Sequence, residues 1–292
     1  MRRWPKLCVV LTITWLGGAC HEPSDARPSR VLAPRILAIS AEPAEAKAGT
    51  EASYRVLAVD AAGELSDEPA HWSYCKTRKA SGDPRIVAPS CAQTAQAPFD
   101  DEGTTVFGRV PADACERFGP SALTGDRPND ADATGGFYQP LRVEVDGVTA
   151  VGLHRIACPL PNVPRELVFE LRERYVLNEN PVIEALDAAA VVDRGESLRL
   201  ALAVSDDSAE RFVLYDANSV TIVTARESLR AAWYATGGEL EHERSNVALT
   251  DNRLRAQNTW VAPRQRGRVQ LWVVLRDSRG GVAFTGVAID VR

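Results

Sequence analysis

The chain is poor in the residues that metal and redox chemistry use: one methionine and four histidines in 292 residues. No GxSxG elbow, HExxH helix, Walker loop or GxGxxG turn occurs, so the common local signatures of hydrolases, metalloproteases and nucleotide enzymes are missing. The cysteines show no CxxC spacing, which argues against a four-cysteine zinc site. An excess of positive charge is lacking too: the formal net charge is -5 and the pI about 5.5. A nucleic-acid-binding footprint is therefore not supported. What remains is ordinary globular composition, 45% hydrophobic and 25% charged, which excludes disorder, a collagen repeat or a bare coiled coil for the bulk of the chain. The length allows about two domains and a tail. Six cysteines beside so few histidines fit an exported protein better than a cytosolic metalloenzyme.

The N-terminus carries the strongest signal. Arg2, Arg3 and Lys6 precede the apolar stretch Leu7–Leu16, which is too short to span a bilayer and has the length of a signal-peptide core. Gly17, Gly18 and Ala19 follow, then Cys20. This resembles a bacterial lipobox, with Gly17 standing where a leucine-like residue is preferred. The resemblance implies cleavage before Cys20 and lipid on that cysteine, and so attachment to a cell-envelope membrane, the outer membrane first. Two or more acyl chains, at about 0.8 kcal/mol per buried CH₂, anchor stably where one does not. Removing residues 1–19 takes away Arg2, Arg3 and Lys6 and no acid, leaving a formal charge of -8 from the -5 of the whole chain. That favours solubility at a membrane surface and argues against adhesion to anionic lipid through a basic patch. Residues 20–34, rich in proline and polar side chains, read as a flexible, extended tether.

The rest reads as one module used twice, over 35–160 and 161–292. Gly49 and Gly195 each open a period-2 run. Ala52, Tyr54, Val56 and Ala58 share one face, and Leu198, Leu200, Leu202 and Val204 another, in the same register after their glycines. Alternation of this kind marks half-buried antiparallel strands. Each copy then offers a tryptophan strand whose ring, Trp72 or Trp233, is sized to anchor a sandwich core. Asp146-Gly147 and Asp277–Gly281 read as hairpin turns. The fold class is all-β: two tandem Ig-like antiparallel β-sandwiches after the signal peptide and tether. Arg165–Val176 alternates Leu167, Phe169 and Leu171 and is read as extended.

The second copy, through "WYATGG", "TWVAPRQRG" and "VVLRDSRGG", resembles the PKD or bacterial Ig-like repeats of exported proteins. The first copy, through "WSYC", "ACERFGP" and "DADATGGFYQPLR" with "LNENP" after it, resembles lipoproteins of myxobacteria-type genomes that carry no assigned activity. The resemblance implies the two-module layout and no site.

Beyond Cys8 and Cys20, four cysteines remain: Cys75, Cys91, Cys115 and Cys158, all in the first module. An even count in an exported domain implies two disulfides, and the short-loop pairing, Cys75–Cys91 with Cys115–Cys158, is preferred over the alternatives. Such staples suit the stretch 81–136, read as an irregular insertion and the expected contact region. Within it, Asp130, Asp132 and Thr134 alternate before Gly135 as calcium ligands do. A full EF-hand count from Asp130 ends on Leu141 rather than a glutamate, and a polar Asx turn explains the run as well. Asp100–Glu102, Asp206-Asp207 and His242 between Glu241 and Glu243 read as solvated turns.

No cofactor is expected. The functional expectation is a lipid-anchored, non-enzymatic binding or structural module of the envelope, with a protein or glycan partner. The alternatives are an accessory subunit of an envelope machine for secretion, motility or outer-membrane assembly, and a cryptic hydrolase or carbohydrate-active protein whose site is assembled from distant residues.

Overall fold

Period-2 alternation dominates the folded chain as it dominates the sequence. The computed structural model describes residues 27–63, 68–80, 83–120, 134–160, 163–216, 218–247 and 254–292. The signal peptide, Cys20, Asp130 and Asp132 lie outside these described residues.

The first half runs β1 (Arg35–Glu42), β2 (Glu45–Lys47), β3 (Glu51–Val59), β4 (His71–Tyr74), β5 (Ala97–Pro98), β6 (Thr105–Arg109), β7 (Phe137–Val145) and β8 (Val148–Ala157). Two short helices, α1 (Pro89–Gln93) and α2 (Ala114–Phe118), sit between them. Helix α3 (Arg165–Arg174) leads to the second half. There β9 (Ile183–Asp187), β10 (Val191–Val192), β11 (Ser197–Val204), β12 (Arg211–Asp216), β13 (Thr221–Arg226) and β14 (Leu229–Ala235) are followed by β15 (Glu239–Leu240), β16 (Arg244–Asn246), β17 (Leu254–Val261), β18 (Gly267–Asp277) and β19 (Val282–Val291).

The strand order repeats. In the first half β1-β3-β6 faces β2-β8-β7-β4-β5; in the second β9-β11-β17-β15 faces β10-β19-β18-β14-β16. Each half therefore places its first long strand beside the strand after the glycine turn. Each then sends a short strand, β2 or β10, across to pair in parallel with the last strand of the opposite sheet. This sheet switch is the immunoglobulin-like pattern. It explains the shared glycine: the chain must turn sharply after the crossing strand, and Gly49 (φ +80°) and Gly195 (φ +73°) do so in the left-handed region. The second half adds a β12–β13 hairpin.

The alternating residues fill the two cores. Ala52, Tyr54, Val56 and Ala58 surround Trp72 in the first, and Leu200, Leu202 and Val204 surround Trp233 and Trp260 in the second. The buried indoles keep partners: Trp72 Nε1 donates to the Gly103 carbonyl at 2.8 Å and Trp233 Nε1 to Ser245 Oγ at 2.6 Å. Disulfides join Cys75 to Cys91, tying α1 to the end of β4, and Cys115 to Cys158, tying α2 to the end of β8.

A third apolar cluster joins the halves side by side. Leu37 and Ala38 of β1 and Leu57 and Val59 of β3 pack on Trp272 and Val274, which lie on the outer face of β18. The bulge at Ile36–Ala38 in the β1–β3 ladder turns Leu37 and Ala38 into this contact.

Three sequence readings change. Arg165–Val176 is not extended: Arg165–Arg174 is helix α3. Pro164 precedes it, Glu170 and Arg174 pair at i, i+4 spacing, and Arg174 reaches Thr224 of the β13 hairpin strand. The Leu-Phe-Leu alternation misled because Phe169 points to solvent, 68% exposed, while Leu167, Val168 and Leu171 form the half-buried helical face. The stretch 81–136 is not simply an insertion. It supplies β5 and β6, and Val106, Val110, Ala114 and Phe118 enter the core. Strand β6 is too short to alternate visibly, and its Gly108 leaves room for the Phe99 ring. Finally, residues 27–34 are held rather than free. Val31 N donates to the Ala235 carbonyl and Ala235 N to that of Ser29, so this end of the tether lies along β14 with Val31 buried.

Because both disulfides lie in the first sandwich, reduction should act chiefly on that half. We expect loss of about 2–4 kcal/mol per bridge, read by hydrogen exchange as a larger acceleration of opening in β4–β8 than in β14–β18. Equal acceleration in both halves would contradict this division.

Candidate functional site: the seam between the sandwiches

The side-by-side joint buries more charge than any other described part of the chain. Its centre is Arg279, fully buried at the tip of the β18–β19 hairpin. The sequence DSRGG builds that tip: Asp277 Oδ1 accepts from the backbone N–H of Arg279 at 2.8 Å and of Gly281 at 2.9 Å. Gly280 takes φ +105°. At Gly281 a Cβ would fall 2.0 Å from the Asp277 carboxylate, so only glycine closes the turn. The closed turn aims Arg279 inward rather than into solvent.

Inside, Arg279 meets carboxylates from both halves. Its NH2 lies 3.3 Å from Glu45 of β2, its Nε 3.4 Å from Glu227 and its NH1 3.8 Å from Glu210. NH2 also donates to the Val176 carbonyl at 3.0 Å, and the guanidinium sits 4.9 Å over the Phe212 ring. Glu45 is shared with Arg155 of β8, whose Nε lies 3.3 Å away. The linker closes over the pair. The Tyr175 hydroxyl donates to the Glu45 carboxylate at 2.6 Å and Asn178 N–H donates at 3.0 Å. Arg155 NH1 in turn donates to Thr134 Oγ1 at 2.8 Å. Thr134, weighed above as a calcium ligand, is therefore engaged by a cation.

Burial sets the protonation of the acids. It pushes Glu227 up to about 8, with the Asp277 carboxylate adding to the rise and Arg279 only partly offsetting it. Asp277 is raised chiefly by burial, against the hydrogen bonds it accepts from Gly281 and Arg279. Tyr175 is pushed up to about 12 by burial and by Glu45. A carboxyl near 8 holds its proton over most of the neutral range, and the acid within reach of both Arg155 and Arg279 is Glu45. Such shifted groups often mark reactive sites. Here each faces a buried partner, and the arrangement joins two sandwiches.

Beside the joint runs a groove of about 860 Å³ whose lining includes Ile36, Ile39, Leu153, Tyr138, Arg276 and Asp277. Arg276 Nη2 donates to the Leu37 carbonyl at 3.2 Å, so part of the groove's lining belongs to the seam.

A second buried chain of polar groups crosses the first core. His154 Nε2 must donate to the Pro43 carbonyl at 3.0 Å, which leaves Nδ1 to accept from Tyr54 at 2.8 Å; Tyr54 in turn accepts from Tyr74 at 2.8 Å. Burial lowers His154 to about 4, so the ring is neutral and structural.

The remaining sequence candidates stay on the surface. His71 pairs with Glu102 at 2.9 Å and His242 lies 3.8 Å from Glu241, all half exposed. Asp206-Asp207 form one exposed 3-10 turn. Sequence reasoning missed Glu45, Arg155, Glu227 and Arg279. The only available signal was a charged DSRGG tip and an isolated glutamate in the crossing strand, both of which also suit solvent.

No family model and no curated protein matches the chain. Among solved structures it is similar to the D0–D1 domains of intimin, with 10% identity over 87% of this chain and 98% of that one at a TM-score of 0.24. It is similar to a chimeric titin Z1Z2 tandem, with 11% identity over 89% and 99% at 0.26. It is also similar to the Yersinia pseudotuberculosis adhesin InvE, with 12% identity over 88% and 58% at 0.23. These neighbours are adhesin and Ig-like domains. At such scores the likeness carries no argument, and the class of this protein, a tandem Ig-like β-sandwich, rests on the strand order itself.

The buried acids make stability fall as pH rises. Glu227 has a native pKa near 8 against an unfolded value near 4.5, so the unfolded state binds fewer protons between them and stability declines across that window. His154, lowered to about 4, has the opposite slope below about 6.5. Between pH 6.5 and 8 the decline from Glu227 should therefore stand clear, at up to about 1.4 kcal/mol per pH unit. Urea midpoints over this range should fall in the parent chain and flatten in Glu227→Gln. A parent midpoint that rises towards pH 8 would contradict the assignment.

Proposed function

We propose that the chain is a lipid-anchored protein of the cell envelope, attached through Cys20 and acting as a non-enzymatic binding or structural module. The observation that carries the reading is the seam. Glu227, the carboxylate with the largest shift among the described residues, is buried against Arg279, and Glu45 is shared by Arg155 and Arg279 and closed over by Tyr175 and Asn178 of the linker. Their work is to fix one Ig-like sandwich against the other, which holds loops and edges from both halves in one arrangement. Fixed loops on a rigid scaffold are the usual basis of recognition. The lipobox-like run before Cys20 supports membrane attachment, and the disulfides of the first sandwich support an oxidising compartment. The groove along the seam and the disulfide-braced end of the first sandwich are the surfaces offered to a protein or glycan partner.

The test compares the full chain with Cys20→Ala in a Gram-negative host. The parent should show globomycin-sensitive processing, a lipid mass on residue 20 and partition into detergent, and the variant none of these. Equal solubility and cleavage at the same bond in both would overturn the membrane assignment.

A further inference from the structure

The held end of the tether points to a face of the second sandwich that carries unpaired positive charge. Arg30 bridges to Ala235 and its NH1 donates to the Gly238 carbonyl at 2.6 Å. Gly237 packs against Pro263 and Val269, so the tether meets this sandwich beside the turn Pro263–Gly267. That turn holds Arg264 and Arg266, with Arg268 just after it. The β18–β19 register sets Gly267 opposite Val291 and Arg268 opposite Asp290, bringing Arg292 next to Arg266. Arg194 N donates to the Arg292 carbonyl and adds a fifth side chain. Arg194, Arg264, Arg266, Arg268 and Arg292 are all exposed. None has an ion pair or hydrogen bond through its guanidinium among the described residues, unlike Arg279, Arg155 or Arg174.

We propose that this arginine pole is the membrane-facing surface of the protein, and that it binds the phosphates of an anionic bilayer. The proposal rests on the lipid-anchor reading for its orientation. Seven residue steps separate Cys20 from Arg27, which at about 3.5 Å per residue span at most roughly 25 Å. A lipid on Cys20 therefore keeps the tether's landing point, and the pole beside it, close to the headgroups. The overall acidity of the chain does not forbid this. Charges beyond about 8–10 Å are screened at physiological salt, so the surface reads the local excess. Asp193, Glu196, Glu239 and Asp290 share this end and moderate that excess without pairing with the five arginines. Guanidinium groups suit phosphate through their fork of donors. The opposite end of this sandwich, with Asp206, Asp207 and Glu210, has the contrary sign.

The experiment uses the mature chain from residue 20 with Cys20→Ser, which carries no lipid. Circular dichroism and a urea midpoint equal to those of the parent first establish that this chain is folded. Its co-sedimentation is measured with phosphatidylglycerol vesicles and with phosphatidylcholine vesicles, at 50 and 300 mM salt. Binding is expected to phosphatidylglycerol only, weakening as salt rises. At about fivefold per arginine near an anionic surface, Arg264→Gln/Arg266→Gln/Arg268→Gln should weaken it by about a hundredfold. Arg109→Gln and Arg199→Gln, on other surfaces, should leave it unchanged. Circular dichroism and urea midpoints report whether the triple variant keeps its fold, and the single variants carry the test if it does not. Equal binding to both vesicles, no binding to either, or full retention by the arginine variants would overturn the proposal. Because this chain lacks lipid, failure here leaves the Cys20 reading intact, and absence of a lipid mass on the parent leaves the vesicle result intact.

Discussion

A fully buried arginine must be answered by carboxylate, and the tandem depends on how Arg279 is answered. Removing an ion from water costs several kcal/mol even after relaxation, and one unmatched charge in the interior is worse than none. Arg279 reaches Glu227 and Glu210 within its own sandwich, but the acid that also binds Arg155 is Glu45, from the crossing strand of the other. The linker contributes Tyr175 and Asn178 to that acid. Separating the sandwiches would take Glu45 from Arg279 and leave that acid with Arg155 alone, its neighbour in the first sandwich. The apolar contact of Leu37 and Leu57 on Trp272 and Val274 supplies the general attraction, and the ionic joint fixes the register in which it is made.

The two copies show how one topology is put to different uses. Both carry the sheet-switching strand and the glycine turn. In the first copy that strand presents Glu45 to the seam. In the second its counterpart carries Val191 and Val192, and Val192 enters the core. The last hairpins differ in the same way. Asp146-Gly147 makes a tight two-residue turn with both residues at positive φ, whereas Asp277–Gly281 makes a longer turn that buries its arginine. The first copy also spends its core polarity differently, on the Tyr74–Tyr54–His154 chain beneath Trp72.

Much of the fold was legible because strand periodicity is a local property. Leu200, Leu202 and Val204, or Leu271, Val273 and Leu275, declare their face within a few residues, and the glycine register declared the repeat. Helix α3 was illegible because its Leu-Phe-Leu spacing mimics a strand and only the hairpin packed beneath it decides which face is buried. Strands β5 and β6 were hidden by brevity and by Pro98 and Gly108. The seam was illegible for a deeper reason. Glu45 and Arg279 are 234 positions apart, and nothing in either neighbourhood distinguishes a charge bound for the interior from one bound for water. The arginines of the second sandwich were masked in a similar way, since a net charge averages over a surface that a partner samples one face at a time.

The most direct test of the joint is equilibrium urea unfolding of Arg279→Met followed by tryptophan fluorescence. The methionine fills the arginine's volume without its charge, takes from Glu45 one of its two arginines and removes the cation beside Glu210. The account predicts a loss of about 3–5 kcal/mol and a single transition that divides into two as the sandwiches unfold separately. A loss below about 1 kcal/mol, with one transition of unchanged slope, would contradict a seam held together by Arg279.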